Sequence, residues 1–183
     1  AFSGAYSTSL LAYAHILDGH LDQAITRLHS ALNDEYLNVQ GSFASVSLSA
    51  VYGFALYESG NFADAESQLR DSLDILPQTL PVDWLISAFL SLARAAVQSE
   101  PDGGDSQEIL DNGERLGLIN RIPRLVRAIR YEKIRLALTR GNCREARNLF
   151  RVLTEFPFEK LPQGWTHFAE GCDDDFVCQT RLD

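Results

Sequence analysis

The residues with the most chemistry to offer in this 183-residue chain are its arginines, tyrosines and histidines. Arg140, Arg144, Arg147 and Arg151 recur at helical spacing, so one helix would carry a stripe of guanidinium groups. Arg124 and Arg127, with Arg130 or Tyr131, form a second stripe just before it. From Arg121 to Arg151 there are ten basic residues and two acidic ones, Glu132 and Glu145. The remainder holds six basic and 23 acidic residues, so a net charge of −9 divides into +8 and −17. Such a stripe is either a solvated face drawn to the acidic remainder or to a neighbouring copy, or a docking surface for an acidic partner or domain. The overall balance is acidic and no recognition motif accompanies the stripe, so direct nucleic-acid binding is not expected.

The other reactive groups form no coherent set. His15 and His20 are five residues apart and do not share a helix face well. His167, Cys172 and Cys178 fall in WTHFAEGCDDDFVC, which lacks a fourth ligand and has the wrong spacing for zinc. Asp173, Asp174 and Asp175 suit a helix start better than a calcium loop, which alternates oxygen ligands over twelve residues. The three cysteines, Cys143, Cys172 and Cys178, are odd in number and include no CxxC. That argues against a disulfide framework and for a reducing cytoplasm, with a Cys172–Cys178 bridge as the alternative. There is no GxSxG elbow, no phosphate loop and no pair of carboxylates in a cleft-like context. The expectation is a non-enzyme with no cofactor and no metal.

Elements that could position these groups emerge from an internal repeat. HILDGHLDQAITRLHSAL (15–32), ALYESGNFADAESQLRDSL (55–73) and LALTRGNCREARNLFRVL (136–153) align on Gly19, Gly60 and Gly141. Each has Ala five residues later (Ala24, Ala65, Ala146) and a bulky apolar residue four further on (Leu28, Leu69, Phe150). The first spacing is 41 residues and the second nearly twice that, so a degenerate copy is expected around Gly104, with Ile109, Leu110 and Leu116. Glycine permits the positive φ at which a first helix ends; Asp22, Asn61 and Asp105 suit the start of the second. Alanine lets the two helices approach closely. The periodicity predicts helices at about 5–18, 21–34, 43–59, 62–76, 82–98, 105–117, 122–140 and 143–155. VSLSAVYGF alternates briefly, but its uninterrupted length favours helix. Pro157 and Pro162 break the pattern, and a last helix begins near Asp173. The fold expected is all-α, with a repeat array over 1–156 and, over 157–183, a loop and the start of a truncated helix. Ala1 at the start, the absence of Met and the open helix at the end point to a piece of a longer protein. No stretch approaches the roughly 18 apolar residues that cross a bilayer, so no membrane partner is expected.

The second copy resembles the tetratricopeptide pattern through Gly53, Leu56, Gly60, Ala65, Leu69 and Pro77, departing where Ser72 replaces a small Ala. The first keeps Ala12, Ala24, Leu28 and Ala31 but lacks the closing Pro. The likeness covers about 5–155 and implies a right-handed superhelix of about four hairpins. Tetratricopeptide repeats run 34 residues. A step near 41, with LLAYAHILDGHLDQAI, ALYESGNFADAESQLRDSLDIL and RLALTRGNCREARNLF, is similar to the array of large ATP-dependent LuxR-type regulators, the MalT-like group. That resemblance implies a sensor region that binds a small-molecule inducer or a regulatory protein and works with ATPase and DNA-binding modules elsewhere in its chain. In such arrays the first helix of each pair lines a concave groove. Here it would carry Tyr6, Ser9 and Tyr13, then Ser47, Ala50, Phe54 and Tyr57, then Ser91, Arg94 and Gln98, then Tyr131 and Arg135. Polar-tipped aromatics and arginines suit a sugar, an aromatic metabolite or a peptide, or else the tyrosines pack between repeats. A generic adaptor and a self-associating spacer remain the alternatives.

Overall fold

The computed structural model describes residues 2–34, 42–75, 77–99 and 104–154. Within them lie helices α1 (Phe2–Leu17), α2 (Leu21–Leu32), α3 (Phe43–Glu58), α4 (Phe62–Ile75), α5 (Val82–Ser99), α6 (Gly104–Ile119), α7 (Pro123–Thr139) and α8 (Cys143–Thr154). A 3-10 turn, Pro77–Thr79, follows α4 at the closing proline of the second repeat. The described residues contain no strand, and none of their helices is long and apolar enough to cross a membrane. The expected last helix near Asp173 and the breaks at Pro157 and Pro162 lie outside the described residues.

Each helix packs on the next, and the odd-numbered ones also pack side by side: α1 on α3, α3 on α5, α5 on α7. Each of α2, α4 and α6 bridges the two odd helices that flank it. The result is two layers, an odd one and an even one. α3 touches α1, α2, α4 and α5, which is why ten of its residues are buried and why it is apolar on every side.

Within each pair the contact rests on a repeated small–large–small pattern. Ala24, Leu28 and Ala31 are buried on α2, and Ala65, Leu69 and Ser72 on α4. The Ser72 hydroxyl, buried, donates to the Leu69 carbonyl at 2.9 Å, so it tolerates the position of an alanine. The degenerate copy is placed differently from the sequence expectation. Gly104 is not a turn residue but the first residue of α6. The true counterparts are Ser106, Leu110 and Gly113, one 41-residue step beyond Ala65, Leu69 and Ser72, and all are buried. A serine side chain is small enough to fill the alanine site, so the glycine was a misleading marker. The pair contact is tightest at Gly53, where a β-carbon would lie 2.6 Å from Leu69 Cγ.

Three turns close with one hydrogen-bond pattern. At Gly60, the Gly60 amide donates to Tyr57 O at 3.0 Å and the Asn61 amide to Leu56 O at 3.0 Å. Gly19 and Gly141 repeat it, and all three glycines have φ between 71° and 83°. A fourth turn of the same pattern joins α6 to α7, but there the left-handed residue is Arg121, at φ 54°. Helix starts differ from expectation in detail. Asp22 lies in the first turn of α2, whose cap position is His20 without a side-chain bond. Asp105 does not cap α6; it pairs with Arg70 of α4. Asn61 precedes α4 and donates to Asp64 at 2.7 Å, while the unpredicted Asn142 accepts from the Glu145 amide at 3.2 Å.

Replacing Gly60 by Ala should cost about 1 kcal/mol, because a β-carbon is strained at positive φ. Arg121→Gly should stabilise by up to about 1 kcal/mol for the same reason. Gly53→Ala should cost about 1–3 kcal/mol by overpacking Leu69. Urea denaturation of the three variants checks the signs; a neutral Gly53→Ala would show that the α3–α4 contact yields easily.

Candidate functional site

The odd-numbered layer carries most of the residues expected to line a groove, and it has two characters. In its first half the aromatics meet one another. The Tyr6 ring lies 5.8 Å from Phe43 and 5.5 Å from Trp84, centroid to centroid. Tyr13 lies 5.8 Å from Phe54 and 6.0 Å from Trp84, and its hydroxyl is 3.2 Å from Ser87 Oγ. Side chains of α1 therefore reach past α3 to α5. Trp84 is buried, and Tyr6 and Tyr13 are half-buried against the core. Of the two readings of these tyrosines, packing between repeats describes Tyr6 and Tyr13, the latter against Phe54.

In its second half the layer becomes ionic. Tyr57 packs on Phe62 at 5.6 Å and touches Arg94 of α5. Arg94 forms a two-pronged pair with Glu132 of α7, Nε to Oε1 at 3.0 Å and Nη2 to Oε2 at 2.7 Å. Arg135 donates from Nε to the same Oε1 at 2.7 Å. Glu132 is only 4% exposed, whereas Arg94 and Arg135 are 36% and 46% exposed. A buried carboxylate thus holds two guanidinium groups that keep faces toward solvent. Burial pushes the Glu132 carboxyl up, but hydrogen bonds and charge from Arg94 and Arg135 prevail and hold it below the ordinary glutamate range. The hydrogen bond to Glu132 raises Arg94, with burial opposing. Gln98 is exposed one turn beyond Arg94, and Tyr131 is half-buried beside Glu132. The patch can present guanidinium donors next to a phenol, an arrangement suited to an anionic or polyhydroxylated ligand.

Three residues of the basic segment, Arg124, Arg130 and Lys133, engage the acidic remainder. Arg124 pairs with Asp83. Arg130 reaches Glu114 at 2.6 Å, and Lys133, 8% exposed, reaches Glu114 at 2.5 Å and Asp111 at 2.6 Å. Burial lowers Lys133, yet the hydrogen bonds to Asp111 and Glu114 leave it raised. Of the other stripe, Arg140 follows the last residue of α7 as its cap, and Arg144, Arg147 and Arg151 are exposed on α8.

Sequence reasoning passed over Glu132, Trp84, Glu114 and Lys133. An acid three residues before Arg135 in an otherwise basic helix was the available signal for Glu132. His15 and His20 do not share a helix, yet their rings meet edge-on at 6.0 Å across the turn at Gly19. Cys143 stands at the first position of α8. His167, Cys172 and Cys178 lie outside the described residues, among which no three of His, Cys, Asp and Glu group as a metal site.

Glu132→Gln should cost about 1–2 kcal/mol at neutral pH, less than a fully buried pair would, because both arginines can rehydrate. The folded carboxyl binds its proton less readily than the unfolded one. Its stabilisation is therefore complete above the ordinary glutamate pKa of about 4.3 and is lost as pH falls through the lower folded value. Urea titrations from about pH 7 down to about pH 3 should show the gap between wild type and variant closing in acid; a constant gap would refute the assignment. No family model, curated protein or solved structure matches the chain.

Proposed function

We propose that this chain is a binding scaffold rather than a catalyst: a tetratricopeptide-like superhelix whose odd-numbered helices form the recognition face. The observation that carries the reading is the 41-residue step, with Leu28, Leu69 and Leu110 at equivalent places in successive pairs and each fully buried. Such stacking presents a continuous face built from many repeats, which is how arrays of this kind bind. The recognition centre is the Tyr57–Arg94–Glu132–Arg135 patch. Tyr6 and Tyr13, joined to Trp84, stiffen the layer beside it.

The finer reading is a sensor region of a large ATP-dependent LuxR-type activator, taking a small inducer or a regulatory protein and passing the signal to other domains of the same chain. Its support is the long repeat period together with the phrases around Gly19, Gly60 and Gly141. A generic protein-binding adaptor is the second reading, favoured by the exposed arginines of α8.

A thermal-shift screen of sugars and aromatic metabolites tests the first reading. For a ligand so found, Tyr57→Ala and Arg135→Ala should each weaken affinity about tenfold, the scale of one charge-assisted contact. Tyr13→Ala should instead lower the melting temperature and leave the affinity of the folded protein nearly unchanged. Affinities untouched by Tyr57→Ala and Arg135→Ala would move the site off this face.

A further inference from the structure

A second candidate site lies away from that patch, where the α6–α7 turn meets the end of α8. The cavity there has a volume of about 490 Å³, within the range of small-molecule sites. Its floor is apolar: Leu118, Ile122, Val126 and Leu153, with Gly117 letting the turn close against Val126. Its rim carries Arg121, Arg124, Arg127 and Arg130; Arg124 and Arg130 are also paired with Asp83 and Glu114, but no carboxylate is among the described residues that line the cavity itself. Two other hollows among the described residues do contain a carboxylate, Asp22 beside Arg27 in one and Asp64 beside His29 in another.

Arg121 is the informative residue. Three turns with this hydrogen-bond pattern place glycine at the left-handed position; the fourth places an arginine there, and it is the one non-glycine residue at positive φ among those described. An L side chain is strained in that conformation, and strain retained at one turn of four points to a use for the side chain. That side chain is exposed and sits on the cavity rim. The start of α7, whose helix dipole places partial positive charge there, lies at the same rim.

We propose that this cavity binds an organic carboxylate with an apolar body, the body against Leu118, Ile122, Val126 and Leu153 and the carboxylate on the rim guanidiniums, Arg121 foremost. Arginine supplies the planar, two-pronged recognition that a carboxylate accepts, and an apolar floor rewards the rest of the ligand. The site is independent of the Tyr57–Arg94–Glu132–Arg135 reading and survives its failure.

Calorimetric titration of the whole chain with octanoate, 1-octanol and acetate tests it. Octanoate should bind, 1-octanol about tenfold or more weakly, and acetate not measurably, since each lacks one half of the recognition. Arg121→Gly should weaken octanoate about tenfold while raising the melting temperature, two effects of opposite sign that damage to the fold cannot produce. Leu118→Glu, at a half-exposed position, should weaken octanoate to a similar degree with an unchanged melting temperature. Equal binding of octanoate and 1-octanol, no binding of octanoate, or wild-type affinity in both variants would overturn the proposal. So would an Arg121→Gly variant whose only change is loss of self-association, which would give the cavity to a second copy.

Discussion

The backbones of α3 and α4 pass so close that Gly53 has no room for a β-carbon, because Leu69 occupies the space. That close passage is one instance of a crossing made in successive pairs, with a small residue, a leucine and a second small residue along the even helix. A pair joined in this way has buried one face only. Its other face is covered by the next pair, and the odd helices come into contact as a consequence. Burying a leucine contributes about 1.5–3 kcal/mol, so Leu28, Leu69 and Leu110 alone supply a large share of a small domain's net stability. The array is held together by neighbours, and each interface can be altered with limited effect on those two pairs away.

Side chains add one exception to this nearest-neighbour rule. Tyr6 and Tyr13 of α1 reach Trp84 of α5, two pairs along, as well as Phe43 and Phe54 of α3. This ties the first three odd helices into one rigid block and closes that stretch of the face. Toward α5 and α7 the side chains of the same layer become charged and partly exposed, as at Arg94 and Arg135.

The charge asymmetry has a related role. A segment of +8 beside a remainder of −17 would ordinarily produce strong surface fields. Much of that charge is spent inside the array: Glu114 with Arg130 and Lys133 joins α6 to α7, Glu132 with Arg94 joins α7 to α5, and Asp83 with Arg124 joins the starts of α5 and α7. These pairs orient the fourth hairpin on the third, a directional job that apolar contacts do poorly. Arg121 stands apart, held at a strained turn on the rim of an apolar cavity.

Helix content, the places of the turns and the pairing of neighbouring helices were legible in the residues themselves. They depend on local rules: apolar spacing of three and four, glycine where φ is positive, and a period that brings like residues to like places. The eight helices fall within a few residues of their expected limits because those rules act over one or two turns of chain. The third pair shows where they weaken, since a serine took the alanine site and a glycine nearby drew the alignment three residues astray. Which side chains meet was settled only by the tertiary structure. Arg94 and Glu132 are 38 residues apart, and Tyr13 and Ser87 are 74 apart. Their contact depends on how far each pair is displaced on the last, and that displacement is set by packed volumes summed over several helices. No local pattern carries that sum, so the sequence left the tyrosines between an open groove and packing between repeats, and Glu132 looked like a stray acid although it is the centre of the ionic face.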